Sequence, residues 1–104
     1  MIVNTWFGDC DVSLERTNYT NNGNLAIQMW CEEDGFKEPF ATLTVNLGGE
    51  KLPSNQAYVD VNNCPWAEQF IEDNELGRPM FLFKRSGFCQ YPLYEFIEWE
   101  GELE

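Results

Sequence analysis

The stretch VSLERTNYTNNGNLAIQMWCE, residues 12–32, contains two strand-like segments on either side of Asn21-Asn22-Gly23. Asn and Gly tolerate the positive φ angles that a tight turn requires. The stretch therefore predicts a β-hairpin with strands at residues 12–20 and 24–32.

The same turn predicts the register of the hairpin, and this register indicates whether Cys10 and Cys31 can form a disulfide. The chain has four cysteines: Cys10, Cys31, Cys64 and Cys89. With a two-residue turn, paired residue numbers sum to about 45. This register places Leu14 opposite Cys31 and leaves Cys10 four residues farther along, which argues against a disulfide between Cys10 and Cys31. The wide spacing of the cysteines and the lack of a Cys-x-x-Cys pair argue against zinc. Free, buried thiols are therefore expected.

Four further segments have the pattern of strands. In residues 40–47, Ala, Leu and Val side chains alternate with Thr42 and Thr44, which predicts a half-buried strand with its threonines on the solvent side. The other three predicted strands are 57–61, 80–83 and 92–99.

One helix is predicted at about residues 65–75. Asn63 or Cys64 would cap it, Pro65 suits its first turn, and Gly77 follows its end. Steps of three and four residues place an apolar set on one face and a carboxylate set on the opposite face. The apolar set is Trp66, Phe70 and Ile71, and the carboxylate set is Glu68, Glu72 and Glu75.

The 104 residues are expected to form a single α+β domain, a mainly antiparallel twisted sheet with the helix packed on one face. Hydrophobic residues make up 43% of the chain, which is too many for disorder and enough for one modest core. A short acidic end is expected at about residues 100–104. No apolar run is long enough to cross a membrane, and the first residues lack a signal-peptide pattern, so a cytoplasmic location is expected.

Eighteen acidic side chains outnumber six basic ones, and histidine is absent, so the net charge is −12 at pH 7. This charge argues against direct binding to nucleic acid because phosphates would repel the protein. It favours a positively charged partner, such as a protein that itself binds nucleic acid. The competing interpretation is that the acids only keep a small protein soluble. The sequence leaves the partner's identity and the oligomeric state open.

Two clusters of acids are candidate contacts for a basic partner: the carboxylate face of the helix and the segment before the acidic end. Three carboxylates at helical spacing repel one another mildly, and a purely structural face would more often include lysine. The candidate partner-binding residues are Glu68, Glu72, Glu75, Glu95, Glu98 and Glu100. The alternative contact is an apolar surface around Phe88, Tyr91 and Tyr94.

Catalytic motifs do not stand out in this sequence. General acid–base catalysis most often uses histidine, which is absent. There is no Gly-x-Ser-x-Gly elbow, and Gly48-Gly49 lacks the surroundings of a phosphate-binding loop. A glycosidase could work with two carboxylates, but a chain of this length leaves little room for a deep cleft. A non-enzymatic protein without a cofactor or metal is therefore expected.

Four segments resemble a small family known as domain of unknown function 4313. They are 21–27, 44–47, 58–66 and 86–94, and the resemblance covers about residues 12–96. This resemblance implies a protein carried by plasmids, conjugative elements or phages of Gram-positive bacteria. It implies no particular activity, because none is established for the family.

A second, shorter resemblance concerns Asn21-Asn22-Gly23 followed by Leu25 and Trp30. This stretch is similar to one near the start of ArdA antirestriction proteins, which are acidic mimics of duplex DNA. The resemblance implies an inhibitor of a bacterial nucleic-acid-binding defence, either anti-CRISPR or antirestriction, that acts as a nucleic-acid mimic on a basic groove. The alternative is a protein-binding accessory module of a plasmid, conjugative element or phage.

Overall fold

A computed structural model describes residues 1–104 as nine strands and one short helix. In chain order these are β1 (Ile2–Thr5), β2 (Gly8–Asn18), β3 (Leu25–Glu33), β4 (Phe36–Thr42), β5 (Thr44–Val45), β6 (Gln56–Val59), α1 (Ala67–Asp73), β7 (Gly77–Ser86), β8 (Cys89–Phe96) and β9 (Glu102–Leu103). One sheet has the order β1-β2-β3-β4, with β9 also paired to β2, and the other has the order β5-β6-β8-β7. All pairs are antiparallel. The predicted α+β class, dominated by antiparallel strands, is confirmed.

The first hairpin forms where the sequence predicts it, but its register differs from the prediction. Asn18 pairs with Leu25, so Leu14 lies opposite Met29 rather than opposite Cys31. The turn is longer than two residues: Tyr19 O accepts a hydrogen bond from Gly23 N at 2.8 Å, and Tyr19 N donates to Asn24 O at 2.9 Å. Only the glycine of this turn has a positive φ, 74°. The predicted register was therefore wrong by two residues.

Asparagine side chains explain why the longer turn is favoured. The amide nitrogen of Asn22 donates to Gly48 O at 3.0 Å, and that of the buried Asn24 donates to Glu50 O at 2.8 Å. Asn24 also accepts a hydrogen bond from Leu52 N at 2.9 Å. The turn is thus held against the loop after β5, because these bonds satisfy backbone groups that would otherwise lack partners.

The segment predicted as one strand over residues 40–47 forms two strands with a break at Leu43. Leu43 N donates to Ile27 O at 2.9 Å, and the Thr44 hydroxyl accepts from Ile27 N at 3.2 Å and bonds to the Tyr19 hydroxyl at 3.0 Å. Thr44 is only 2% exposed, so its predicted position on the solvent side was wrong. The break lets the chain pass from the first sheet to the second.

The helix is shorter than predicted, and its predicted caps were wrong. Trp66 occupies the N-cap position, and no side chain caps the first turn. The Asp60 carboxylate instead accepts hydrogen bonds from the backbone and side-chain nitrogens of Asn63, at 3.1 and 2.9 Å, and so turns the chain before α1 begins. Glu75 lies beyond the last helical residue, with a φ of 52°.

One apolar core joins both sheets and the helix. Phe70 and Ile71 of α1 are buried, as predicted, whereas Trp66 is half-buried and lies 5.7 Å from Phe40, between ring centroids. The fully buried members of this core are Val3, Leu14, Leu25, Ile27, Met29, Leu43, Val59, Ile71 and Leu76. The helix therefore packs against the sheets through its predicted apolar face.

The acidic end of the chain is part of the first sheet. Glu102 and Leu103 pair with Glu15 and Leu14 of β2, and Gly101 O accepts a hydrogen bond from Arg16 N at 2.8 Å. The Glu102 carboxylate forms an ion pair with Lys37. α1 has seven residues, and the fold contains no helix that could span a membrane.

Candidate functional site

The helix α1, the beginning of β7 and the end of β8 form an acidic groove, defined here by Glu68, Glu72, Glu75, Arg78 and Glu95. Its volume is about 780 Å³. The first two carboxylates project from α1, the third follows the helix, and the last lies on β8. The other lining residues are Gln69, Gly77, Pro79, Tyr94, Phe96 and Ile97. Four of the six predicted partner-binding carboxylates are thus brought together.

A buried tyrosine positions the first of these carboxylates. The Tyr94 hydroxyl donates a hydrogen bond to Glu68 Oε1 at 2.8 Å. Burial, followed by this bond to the Glu68 carboxylate, raises the pKa of Tyr94 well above its usual value. The phenol therefore remains a proton donor over the physiological pH range, and it fixes the direction of the Glu68 carboxylate.

Glu95 differs from the other groove carboxylates because it has a cationic partner. Arg78 donates two hydrogen bonds to Glu95 Oε1, from Nε at 3.1 Å and from Nη2 at 2.9 Å. A further bond comes from Gln56 Nε2, at 3.4 Å. The Arg78 bonds, with help from Gln56, lower the pKa of Glu95. Since none of the four ion pairs of the molecule includes Glu68, Glu72 or Glu75, the uncompensated charge of the groove lies on these three residues.

The remaining two predicted site residues, Glu98 and Glu100, lie in a separate depression of about 330 Å³. Here Arg16 holds its guanidinium over the Trp99 ring, 5.5 Å from the centroid, and donates to Asn55 Oδ1 at 2.7 Å. Asn55 in turn donates to Glu98 Oε1 at 2.9 Å. The predicted set therefore divides into four groove carboxylates and two that line the depression next to the Arg16 side chain.

The sequence interpretation named Phe88 but missed the rest of an exposed apolar surface on the β7–β8 hairpin, termed here the apolar hairpin and defined by Phe81, Leu82, Phe83 and Phe88. The fractional exposures of Phe81 and Phe88 are 81% and 105%. The register of β7 against β8 shifts between Pro79 and Phe83, and Phe81 has a φ of 59°, which an aromatic residue seldom adopts. Three consecutive large apolar residues without alternation were the signal that could have indicated this surface.

The predicted alternative surface around Phe88, Tyr91 and Tyr94 was partly wrong. Phe88 is fully exposed, but Tyr91 and Tyr94 are buried. Tyr94 belongs to the main core, whereas Tyr91, three residues earlier on β8, is 9% exposed and lies outside that cluster. An apolar contact surface on this hairpin therefore uses β7 residues rather than β8 tyrosines.

The chemistry available in the acidic groove is ionic binding. Several carboxylates face a solvent-filled groove, and only one guanidinium lies among them. No group of three or more His, Cys, Asp or Glu side chains is placed to hold a metal ion. Cationic side chains such as those of lysine and arginine are the groups that such a groove attracts.

Residues 13–100 match the model of a family described as a domain of unknown function, DUF4313. The chain belongs to this family. All six predicted site residues lie within the matched DUF4313 region, whereas β1 and β9 lie outside it. Searches of the curated proteins and of the solved structures found no match.

Proposed function

We propose that this protein is a non-enzymatic acidic inhibitor of a bacterial nucleic-acid-binding defence protein, a CRISPR effector or a restriction enzyme. The observation that supports this proposal best is the acidic groove. It gathers Glu68, Glu72 and Glu75 without a cationic partner for any of them. On a protein whose acids served only solubility, carboxylates and bases would be interspersed.

The average charge density of the molecule limits where it can imitate nucleic acid, namely to the face that carries the acidic groove. The accessible surface is 6517 Å² and the net charge is −12, which is about one charge per 540 Å² when the area is divided by the charge. Duplex DNA has one charge per about 1.7 Å of its axis, or roughly one per 100 Å² of surface. The average surface is thus too dilute to imitate DNA, and only a local concentration such as the groove can present phosphate-like spacing.

In the proposed mechanism, lysine and arginine side chains of the target enter the acidic groove in place of their contacts with nucleic-acid phosphates. The whole-molecule charge accelerates the encounter, and the groove carboxylates fix the docked position. Inhibition is then competitive with DNA or RNA and weakens as salt rises. The proposal includes a mobile genetic element as the source of the protein and the bacterial cytoplasm as its site of action.

A charge-reversal experiment with a matched control tests this function. The test variant changes Glu68, Glu72 and Glu75 to Lys, and the control changes the exposed Glu32, Glu33 and Glu38 to Lys, so both have the same net charge. Folding is checked by circular dichroism. DNA cleavage by a panel of restriction enzymes and CRISPR effectors is then measured between about 50 and 200 mM salt.

The wild-type protein is expected to inhibit at least one member of the panel, and less strongly at the higher salt. The groove variant is expected to lose about 100-fold or more in inhibition because three charge-assisted contacts become repulsive. The control variant is expected to remain within about threefold of wild type, since its changes lie outside the contact. Equal loss in both variants would mean that only net charge matters and would contradict a groove-specific mechanism.

A second candidate function is a protein-binding accessory module of a plasmid, conjugative element or phage. The apolar hairpin favours it, because exposed aromatic residues in a group are typical of protein contacts. Replacement of Phe81 and Phe83 by Ser tests which of the two surfaces an inhibitor uses. If this variant inhibits as well as wild type, the acidic groove is the contact; if it loses inhibition while the groove variant keeps it, the apolar hairpin is the contact. An accessory module without inhibitory activity predicts instead that the wild-type protein inhibits no member of the panel.

A further inference from the structure

Two cysteine thiols meet at the junction of β2 and β3. Cys10 Sγ and Cys31 Sγ are 3.4 Å apart, and both residues are partly exposed. The corrected register accounts for the contact. Val12 pairs with Cys31, and Cys10 lies two residues before Val12 on the same face of β2. The two cysteines are thus diagonal neighbours across the hairpin.

The backbone around this contact allows the sulfur atoms to approach further. A disulfide needs the two sulfurs about 2.05 Å apart, so they would have to close by roughly 1.4 Å. The pairing of β2 with β3 begins at Val12, whereas residues 8–11 of β2 pair only with β1. The part of β2 that carries Cys10 is therefore not fixed to β3 by backbone hydrogen bonds and can make this movement.

The other two thiols are in different situations. Cys64 is buried, its Sγ lies 3.8 Å from Thr42 O, and burial followed by the charge of Asp60 raises its pKa to about 11. Cys89 lies at the start of β8, where its Sγ contacts Gln90 O at 3.7 Å. The Cys10–Cys31 contact is the one place where two thiols touch each other, so oxidation has a specific product there.

We propose that Cys10 and Cys31 form an oxidation site that closes into an intramolecular disulfide when a low-molecular-weight disulfide such as oxidised glutathione is present. One cysteine thiolate attacks a sulfur of the glutathione disulfide, forms a mixed disulfide and releases one glutathione thiolate. The second cysteine thiolate then attacks the protein sulfur of the mixed disulfide and releases the other glutathione. Two protein thiols are oxidised, one glutathione disulfide is reduced, and the two cysteine protons pass through solvent to the two glutathione thiolates.

The bond would tether the β1–β2 hairpin to β3. The turn of this hairpin carries Trp6 and Phe7, whose exposed rings lie 4.1 Å apart between centroids. These rings and Cys10 line a depression of about 310 Å³ that Phe40 and Trp66 close on its other side. Oxidation would therefore restrict the movement of Trp6 and Phe7 relative to Phe40 and Trp66 in this depression.

The test uses the full chain, equilibrated with reduced or with oxidised glutathione, and a control variant, Cys10→Ser/Cys31→Ser. After equilibration the protein is denatured, its remaining thiols are alkylated, and its mass is measured. Trypsin cleaves after Arg16 and Lys37, so a Cys10–Cys31 bond joins peptide 1–16 to peptide 17–37. Thermal melting and amide hydrogen exchange are measured on the oxidised and reduced forms.

The oxidised wild-type chain is expected to be a monomer that alkylates at two of its four cysteines and yields the joined peptides. Its melting midpoint is expected to rise by about 5–15 °C, because the bond closes a loop of about 20 residues in the unfolded chain. Amide exchange in residues 2–11 is expected to slow by about tenfold or more. The control variant should show neither change.

Three results would overturn the proposal. These are alkylation of all four cysteines after oxidation, joined peptides that contain Cys64 or Cys89, and a disulfide-linked dimer in place of the monomer. An oxidised form that melts at or below the midpoint of the reduced form would also overturn it, because the native positions of the sulfurs would then be incompatible with the bond.

Discussion

Phe70 is the residue through which the helix docks on the rest of the molecule. It is 3% exposed, and its ring lies edge-on to Trp66 at a centroid distance of 6.1 Å. Phe70→Ala is expected to lower the free energy of unfolding by about 3–5 kcal/mol, since it leaves a cavity in a packed core. Urea unfolding measures this loss. Phe88→Ala, at a fully exposed aromatic, is the control and should change stability by less than about 0.5 kcal/mol. A loss below about 1 kcal/mol for Phe70→Ala would contradict the docked position of the helix.

Glu95 provides a residue-scale prediction about pH. Its folded-state pKa is lowered, chiefly by the Arg78 hydrogen bonds, so its charge stabilises the fold above the usual carboxyl pKa. That contribution disappears as the pH falls through the lowered folded-state value. Arg78→Gln is expected to raise the pKa of Glu95 toward its ordinary value, as measured by NMR titration of the carboxyl carbon. Arg85→Gln, on the same strand but paired opposite Gln90, is the control and should leave the Glu95 titration unchanged. An unaltered Glu95 pKa in Arg78→Gln would contradict the two hydrogen bonds from Arg78 to Glu95 Oε1.

The sequence was sufficient to predict some groove residues but not the groove itself. Glu68 and Glu72 share a helix face because residues four apart always do, so their association could be predicted from spacing. Glu95 joins them only because β8 lies beside the helix, which depends on the order of strands in the second sheet. Glu98 lies three residues later and faces Asn55 and Arg16 instead, because the chain leaves the sheet after Phe96.

At the scale of elements, Gly77 is a point of close approach between β7 and β8. A Cβ atom at this position would lie 2.6 Å from Glu95 O and 3.1 Å from the Phe96 Cα, and both of these atoms are backbone. Gly77→Ala is therefore expected to cost about 1–3 kcal/mol in unfolding free energy, because the paired strand cannot move aside cheaply. The matched control is Gly49→Ala, where nothing lies within 4 Å, and it should change stability by less than about 0.5 kcal/mol. Equal effects of the two substitutions, measured by urea unfolding, would mean that the two strands do not pair as described.

The elements themselves differed in how well the sequence predicted them. The Asn-Gly signal located the first hairpin correctly, but turn length is set by side-chain hydrogen bonds to a distant loop, which spacing does not reveal. The segment 40–47 alternates like one strand, yet Leu43 and Thr44 are both buried where the chain changes sheets. The short strand β9 has no apolar pattern of its own, and its pairing with β2 depends on tertiary structure.

At the scale of the whole molecule, the few basic residues are concentrated on one element. Arg78, Lys84 and Arg85 all lie on β7, and two of them form ion pairs, with Glu95 at 2.9 Å and with Glu50 at 3.6 Å. Three members of the apolar hairpin lie between these bases on the same strand, namely Phe81, Leu82 and Phe83. The surface therefore has a mixed apolar and basic strand beside an acidic groove, and the two proposed functions correspond to these two regions.

The excess of acidic charge leads to a prediction about salt and stability. Screening weakens the repulsion among the uncompensated carboxylates, which favours the folded state, but it also weakens the ion pairs, which favours the unfolded state. The four ion pairs each include at least one solvent-exposed partner, and exposed pairs of this kind contribute little to stability because water screens them. Two like charges 10 Å apart in water repel by about 0.4 kcal/mol, and a net charge of −12 creates many such pairs. The repulsion among the carboxylates is therefore expected to destabilise the fold more than the ion pairs stabilise it.

The free energy of unfolding is accordingly expected to rise by about 1 kcal/mol or more between about 50 mM and 1 M sodium chloride, as measured by urea unfolding. Changing Glu68, Glu72 and Glu75 to Gln retains an acceptor for the Tyr94 hydroxyl and removes three negative charges. This variant should be more stable than wild type at low salt, and its stability should rise less on adding salt. If stability instead falls with salt in both proteins, the ion pairs outweigh the repulsion. The groove carboxylates would then not form the concentrated negative surface on which the proposed inhibition depends.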